Sequence, residues 1–303
     1  MTKASPLLSV GLLLFALSNL QAEPQCPGNV VSVRYHSLLG GSQIAIPVTI
    51  EGSGPYEFMV DTGSELTMID PALAADLQLQ AQGSIGMTAV TGNIQAQLVI
   101  PETVEAGSHS VHKLVVAVSS LAQIQYANRQ VRGILGENFL AQFDLLIDYR
   151  HKVICLDESS LMRQALRGER IPLEAQVGHN DKLPFTRPYL VSVHVAGIAK
   201  QDTVFRLDSG SAVPLVYRNY EEKPSYMDSR PQVRATSMGA ARTYQTLKPA
   251  DVKIGSGWLR KIVFVTPTER LTVHPGQDGL LPTALFQRVF LSYAEHYAML
   301  NPK

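Results

Sequence analysis

The sequence predicts an all-β chain made of two duplicated lobes related by a pseudo-two-fold axis. Three observations predict it. The segment Phe58-Met59-Val60-Asp61-Thr62-Gly63-Ser64 reappears as Phe205-Arg206-Leu207-Asp208-Ser209-Gly210-Ser211, 147 residues later, and a long-period repeat of this kind marks duplicated structure. Each copy follows an extended stretch of near-alternating apolar and polar residues, Ile44 to Ile50 and Tyr189 to Val195, as half-buried strands do. Each is followed by a matching glycine station: Gly133-Ile134-Leu135-Gly136 lies 72 residues beyond Asp61, and Gly279-Leu280-Leu281-Pro282 lies 71 beyond Asp208.

Composition agrees with this size and class. At 303 residues, 45% hydrophobic and 17% charged, the chain has the length and balance of about two globular domains. Its 26 Lys and Arg equal its 26 Asp and Glu, which gives no basic footprint for nucleic acid.

From the N-terminus, residues 1–22 read as an export signal. Lys3 supplies the positive start, Pro6 to Leu20 is mostly apolar, and Leu20-Gln21-Ala22 offers a cleavage site. The alternative is an uncleaved anchor. The signal predicts an exported protein, periplasmic or secreted, with no membrane span once it is removed. In such a compartment Cys26 and Cys155 can form one disulfide or stay as two thiols, and nothing in the sequence brings them together.

Residues 23–156 form the first predicted lobe, residues 157–184 a linker with a short helix at Ser160 to Arg167, and residues 185–303 the second lobe. A glycine in a polar tip lies 31 residues after each aspartate, Gly92 in Thr91-Gly92-Asn93 and Gly239 in Met238-Gly239-Ala240; both read as hairpin turns. After each glycine station a short helical stretch is expected, Asn138 to Phe143 and Thr283 to Val289. A strand then closes each half, Leu145 to Leu156 and Tyr293 to Leu300. The halves differ in charge: residues 23–156 carry 6 basic and 12 acidic residues, a balance of −6, and residues 157–303 carry 19 and 14, a balance of +5. Two lobes that attract each other across an interface are the simplest reading.

The duplicated segment has a chemical meaning. Each Asp leaves a strand end, and the glycine after it permits a tight turn. The hydroxyls of Thr62, Ser64, Ser209 and Ser211 can bond to a carboxylate or across to the other lobe. If the lobes pair about a two-fold axis, Asp61 and Asp208 meet. Two carboxylates about 3 Å apart cannot both ionise cheaply, so the pair holds one proton. The ionised member can take a proton from water while the protonated member bonds a carbonyl.

These residues resemble the aspartic protease superfamily, and in particular bacterial exported retropepsin-like proteases with two lobes in one chain. The resemblance rests on Asp61-Thr62-Gly63-Ser64, Asp208-Ser209-Gly210-Ser211, Ile134-Leu135-Gly136 and the Phe139 to Tyr149 stretch, and it spans about Val30 to Pro302. It implies two acid-protease-like β-barrel lobes with a catalytic cleft between them and an endopeptidase acting through Asp61 and Asp208. Thr62, Gly63, Ser64, Ser209, Gly210 and Ser211 would support the dyad. Hairpin flaps would carry Thr91, Gly92, Asn93, Met238 and Gly239. It implies a peptide or protein substrate, no cofactor, and activity as a monomer. The alternative is a non-catalytic peptide-binding protein of the same fold, to which the departure at Pro282 points; pairing of lobes between chains is a third possibility. Neither flap tip has an obvious tyrosine, and Tyr244 is only a candidate. Arg206 is expected to point to solvent; the alternative, an approach to the dyad, would favour ionisation of Asp208 and lower the operating pH.

Other chemistries lack their signatures. No His-Glu-x-x-His segment, phosphate loop or Gly-x-Ser-x-Gly turn occurs. His109 and His112 read as part of a loop or hairpin, with no metal expected, and Trp258 as an anchor of core or hairpin.

Overall fold

The computed structural model describes residues 26–30, 32–38, 41–89, 92–175, 189–197, 202–217, 233–237, 240–268, 276–301 and 303. The predicted signal segment and residues 176–184 of the linker lie outside the described residues, as do Thr91, Met238 and Gly239.

Each lobe starts from an antiparallel pair that delivers an aspartate. Strand Gln43–Ile50 pairs with Ser53–Val60, with Ile46 opposite Phe58. In the second lobe Tyr189–Val195 pairs with Thr203–Asp208, with Val191 opposite Phe205. A further strand then runs parallel to each Asp-bearing strand. Val131–Leu135 sets Leu135 opposite Val60, and Gly279–Pro282 sets Leu281 opposite Leu207 and Pro282 opposite Asp208. A glycine in each of these strands, Gly133 and Gly279, is required by the phenylalanine beside it. A Cβ on Gly133 would lie 2.2 Å from the Phe58 ring, and one on Gly279 would lie 2.5 Å from the Phe205 ring and 2.1 Å from the Leu215 carbonyl oxygen.

The correspondence continues outward. A short strand crosses antiparallel to each parallel partner, Thr67–Ile69 in the first lobe and Leu215–Val216 in the second. Each of these is flanked on its other side by a parallel strand, Val116–Val118 and Val265–Pro267. Hairpin Gly83–Ala89 with Gly92–Val99 matches Val233–Ser237 with Ala240–Thr246, and in each the two strands are joined by two residues. Hairpin Thr103–Ala106 with His109–His112 matches Ala250–Ile254 with Gly257–Ile262. His109 and His112 therefore sit in a hairpin, and the His109 ring lies against Phe143 and bonds Glu158 at 3.2 Å. Trp258 marks a hairpin but not the core: it is largely exposed, with the Arg260 guanidinium over its ring.

The lobes join through the strands that follow each glycine station. Asp144–Asp148 pairs with Arg288–Ser292, setting Leu145 opposite Leu291 and Ile147 opposite Val289. Val153–Asp157 and Ser32–Arg34 extend this sheet on one side, and Tyr297–Leu300 and Ile171–Ala175 on the other. One apolar cluster runs from Phe58 and Phe139 through Leu145 and Ile147 to Val289 and Phe205. Cys26 and Cys155 form a disulfide that ties the start of the described chain to this sheet.

Several expectations change in detail. Among the described residues the strands form two large sheets, of 10 and 15 strands, and no closed barrel, so the predicted barrel lobes are open sheets. The helical stretch expected at Thr283 to Val289 is a single 3-10 turn at Thr283–Leu285, and Arg288 already begins a strand. Pairing of Val289, Phe290 and Leu291 across the lobe junction overrides the local pattern. The closing segments are hairpins of two strands rather than single strands. The linker contains helix Leu161–Ala165 and strand Ile171–Ala175, which pairs with Tyr189–Val195 and Tyr297–Leu300.

The charge asymmetry is resolved at the junction. Arg163 meets Asp144 at 2.7 Å, Arg206 meets Glu137 at 2.8 Å and Arg288 meets Asp148 at 3.2 Å. In each pair the basic half supplies the cation and the acidic half the carboxylate.

Candidate active site

The two aspartate turns meet face to face. A Cβ on Gly63 would stand 2.5 Å from Asp208 Cγ, and a Cβ on Gly210 would stand 2.4 Å from Asp61 Cγ. Only glycine allows each turn to rest against the other lobe's carboxyl, and this contact brings the two carboxyl groups together.

A reciprocal set of bonds holds this approach. The Thr62 N–H donates to Ser209 Oγ at 3.0 Å, and the Ser209 N–H donates to Thr62 Oγ1 at 3.0 Å. Each hydroxyl then donates to a carbonyl of the opposite lobe, Thr62 Oγ1 to Leu207 at 2.7 Å and Ser209 Oγ to Val60 at 2.8 Å. Each hydroxyl thus accepts one bond and donates one, and both are buried. Serine in place of threonine in the second copy keeps every bond of the set.

Ser64 and Ser211 act differently from the sequence expectation. Their hydroxyls donate to carbonyls of their own loops, Leu66 and Val213, each at 2.8 Å. Their backbone N–H groups serve the carboxylates instead. Asp61 Oδ1 accepts from the N–H of Gly63 at 2.8 Å and of Ser64 at 3.1 Å; Asp208 Oδ1 accepts from Gly210 at 2.7 Å and Ser211 at 3.0 Å. Fixed donors on one oxygen of each carboxylate leave the other oxygens for the partner and a ligand.

The loop after Asp61 is locked from behind by the glycine station. Asp61 N–H donates to Leu135 O at 3.1 Å, and Glu137 N–H to Ser64 O at 2.8 Å. A Cβ on Gly136 would stand 2.4 Å from the Leu66 carbonyl group. Asn138 accepts from Thr67 N–H at 2.7 Å and donates to Val115 O at 2.7 Å. Pro282, the departure in the second lobe, takes the same register beside Asp208 without breaking the pairing.

Burial raises the pKa of both aspartates. For Asp61 the Arg206 charge, the bond to Asp208 and the N–H groups of Gly63 and Ser64 pull the other way. Asp208 is pushed well up, first by burial and then by the Asp61 charge. The two carboxyl groups therefore titrate as a pair, the charge on one opposing the charge on the other.

Three residues join the site that were not predicted as part of it: Arg206, Glu137 and Gln43. Arg206 is buried, contrary to the solvent-facing expectation. Its Nε donates to Thr62 O at 2.9 Å and its Nη2 to Glu137 Oε2 at 2.8 Å. The signal for the pair was a single charge inside each of two apolar runs, Phe205-Arg206-Leu207 and Leu135-Gly136-Glu137-Asn138-Phe139. The Gln43 amide donates to Gly210 O across the lobes, and no sequence pattern marked it.

Of the flap residues, Gly92 and Asn93 open the second strand of the first hairpin, with Gly92 opposite Ala89; the others lie outside the described residues. Tyr244 is no tip residue. It sits within its strand opposite Val233 and Pro267, buried with Leu215, Tyr217 and Leu280. Among the described residues no three metal-ligating side chains cluster, and no helix is long and apolar enough to cross a membrane.

Residues 46–139, from the strand before Asp61 to the helix after Gly136, match an aspartyl protease family. The chain is similar in structure to the aspartic proteinase from Irpex lacteus, at a TM-score of 0.51 and 11% identity over 89% of this chain and 97% of that one. The fold is that of a pepsin-like aspartic protease. No curated protein matches the sequence. At 11% identity the likeness to the fungal enzyme concerns the backbone.

Proposed function

We propose that the chain is an aspartic endopeptidase in which Asp61 and Asp208 hydrolyse peptide bonds through a shared proton. The observation that carries this reading is the mutual approach of the two carboxyl groups, each pressed against the other lobe's glycine. Asp61, carrying the charge, removes a proton from the attacking water. Asp208, carrying the proton, donates to the scissile carbonyl and stabilises the oxygen as charge develops there. The substrate lies extended in the cleft and bonds through its backbone, with alternate side chains in pockets. The two hairpins, with tips near Thr91-Gly92-Asn93 and Met238-Gly239, close over it and exclude water.

The enzyme is proposed to be exported and to act as a monomer on peptides or proteins. The disulfide supports the first point, because such bonds persist in oxidising compartments. The presence of both aspartates in one chain supports the second. The test is cleavage of a peptide library from acid to neutral pH by the wild type and by D61N and D208N. Each variant should lose about 10³-fold or more in kcat/KM, because the two carboxyls act as a unit. Peptide binding without cleavage, unchanged in D208N, would replace this reading with a peptide-binding protein.

A further inference from the structure

The duplication makes the site nearly two-fold symmetric, and its departure from symmetry is concentrated in one place. Arg206 occupies the position that Met59 holds in the first lobe, and Glu137 the position that Thr283 holds in the second. On one side of the aspartate pair there is therefore a buried guanidinium on a carboxylate. On the other there is a methionine side chain in an apolar cluster and a neutral bond of 2.6 Å between Thr283 and Tyr149 hydroxyls.

The charged side is built as a cross-brace. Arg206 comes from the second lobe and grips the Thr62 carbonyl of the first, next to Asp61. Glu137 comes from the first lobe and accepts from the Tyr189 N–H of the second. The side chains of Arg206 and Glu137 are both only 4% exposed. A guanidinium stays charged at any working pH and holds its partners in a fixed fork.

We propose that Arg206, held by Glu137, is a positioning residue that favours the charged form of the aspartate pair and sets the pH range of the reaction. The inference rests on the aspartic endopeptidase reading for its consequence in catalysis. The Arg206 charge acts on both aspartates, and on each it is the foremost influence opposing burial. The other groups facing Arg206 are Glu65 on the loop after Asp61, Tyr293 beyond the Arg288–Ser292 strand and Tyr217 beyond Leu215–Val216. Both tyrosines are raised by burial and stay neutral. Burial pushes Glu137 up to about 7 against the pull of Arg206. Below that pH Glu137 is protonated and no longer offsets the charge of the guanidinium.

The experiment compares kcat/KM against pH for wild type, R206K and R206M/E137Q, the double variant leaving no unpaired ion in the core. Both limbs should move to higher pH by about one unit in R206M/E137Q, as expected when an adjacent opposite charge is removed. R206K, which keeps the cation, should hold the wild-type limbs at a lower kcat. A fall in kcat with unmoved limbs in the double variant would make Arg206 merely structural and overturn the proposal. Should the double variant not fold, R206Q is read for the same upward move, since Glu137 stays protonated at acid pH. Carboxyl titration by ¹³C NMR on aspartate-labelled protein separates the two readings. If the wild type cleaves nothing, the endopeptidase reading fails, and titration midpoints equal in wild type and variant would independently overturn this one.

Discussion

Gly63 and Gly210 do more than permit a turn: each is the surface on which the opposite carboxyl rests. A methyl group at either position has no flexible neighbour to displace, since the atoms 2.4 to 2.6 Å away belong to the buried aspartate itself. G63A and G210A should therefore push the carboxyls apart, and a displacement of about 1 Å is enough to lower kcat/KM by about 10²-fold. Steady-state kinetics checks this, with circular dichroism to confirm the fold; activity within a few-fold of wild type would contradict the packing. The two aspartates were legible as a repeated motif. The role of each glycine was not, because Asp208 lies 145 residues from Gly63 and Asp61 lies 149 from Gly210. The same distance hid the divergence of the hydroxyls, two crossing the lobes and two bonding their own loops.

The elements behind each aspartate follow the local pattern where the pattern is strong. The strands at 43–50 and 189–195 fall where alternation puts them, and Gly92, expected in a turn, instead opens a strand. Short helices were harder to see. Asp70-Pro71 is a start signal, an N-cap acid followed by proline, and Asp70 does cap Pro71–Asp76 through the Leu73 N–H at 2.8 Å while pairing with Arg132. Six residues give too little periodicity to stand out. At the glycine station the element depends on one missing side chain. G136A would set a Cβ against the Leu66 backbone, and overpacking of this kind should cost about 1–3 kcal/mol in urea unfolding. An unchanged midpoint would show that the loop after Asp61 moves aside freely.

For the molecule as a whole, burying acids at the junction of two lobes couples folding to pH. Glu137 is raised from 4.5 to about 7 in the folded state, so the native protein binds the proton more tightly than the unfolded chain does. Its contribution to stability is full below about pH 4.5 and is lost as pH rises to about 7. The slope is about 1.4 kcal/mol per pH unit at its steepest. Thermal unfolding of the wild type should show this decline, and E137Q, whose neutral amide resembles the protonated acid, should show a flatter curve across the same window. An equal slope in both would assign the effect to other groups. The sequence by itself determined the duplication, the strands that carry the aspartates and the opposite charge of the halves, because these are written in local pattern and in residue counts. Tertiary structure alone decided that the sheets stay open, that the cysteines pair and that Arg206 turns inward to Glu137. Each of those outcomes depends on which surfaces meet when the lobes close, and contact between residues far apart in the chain leaves no local period to read.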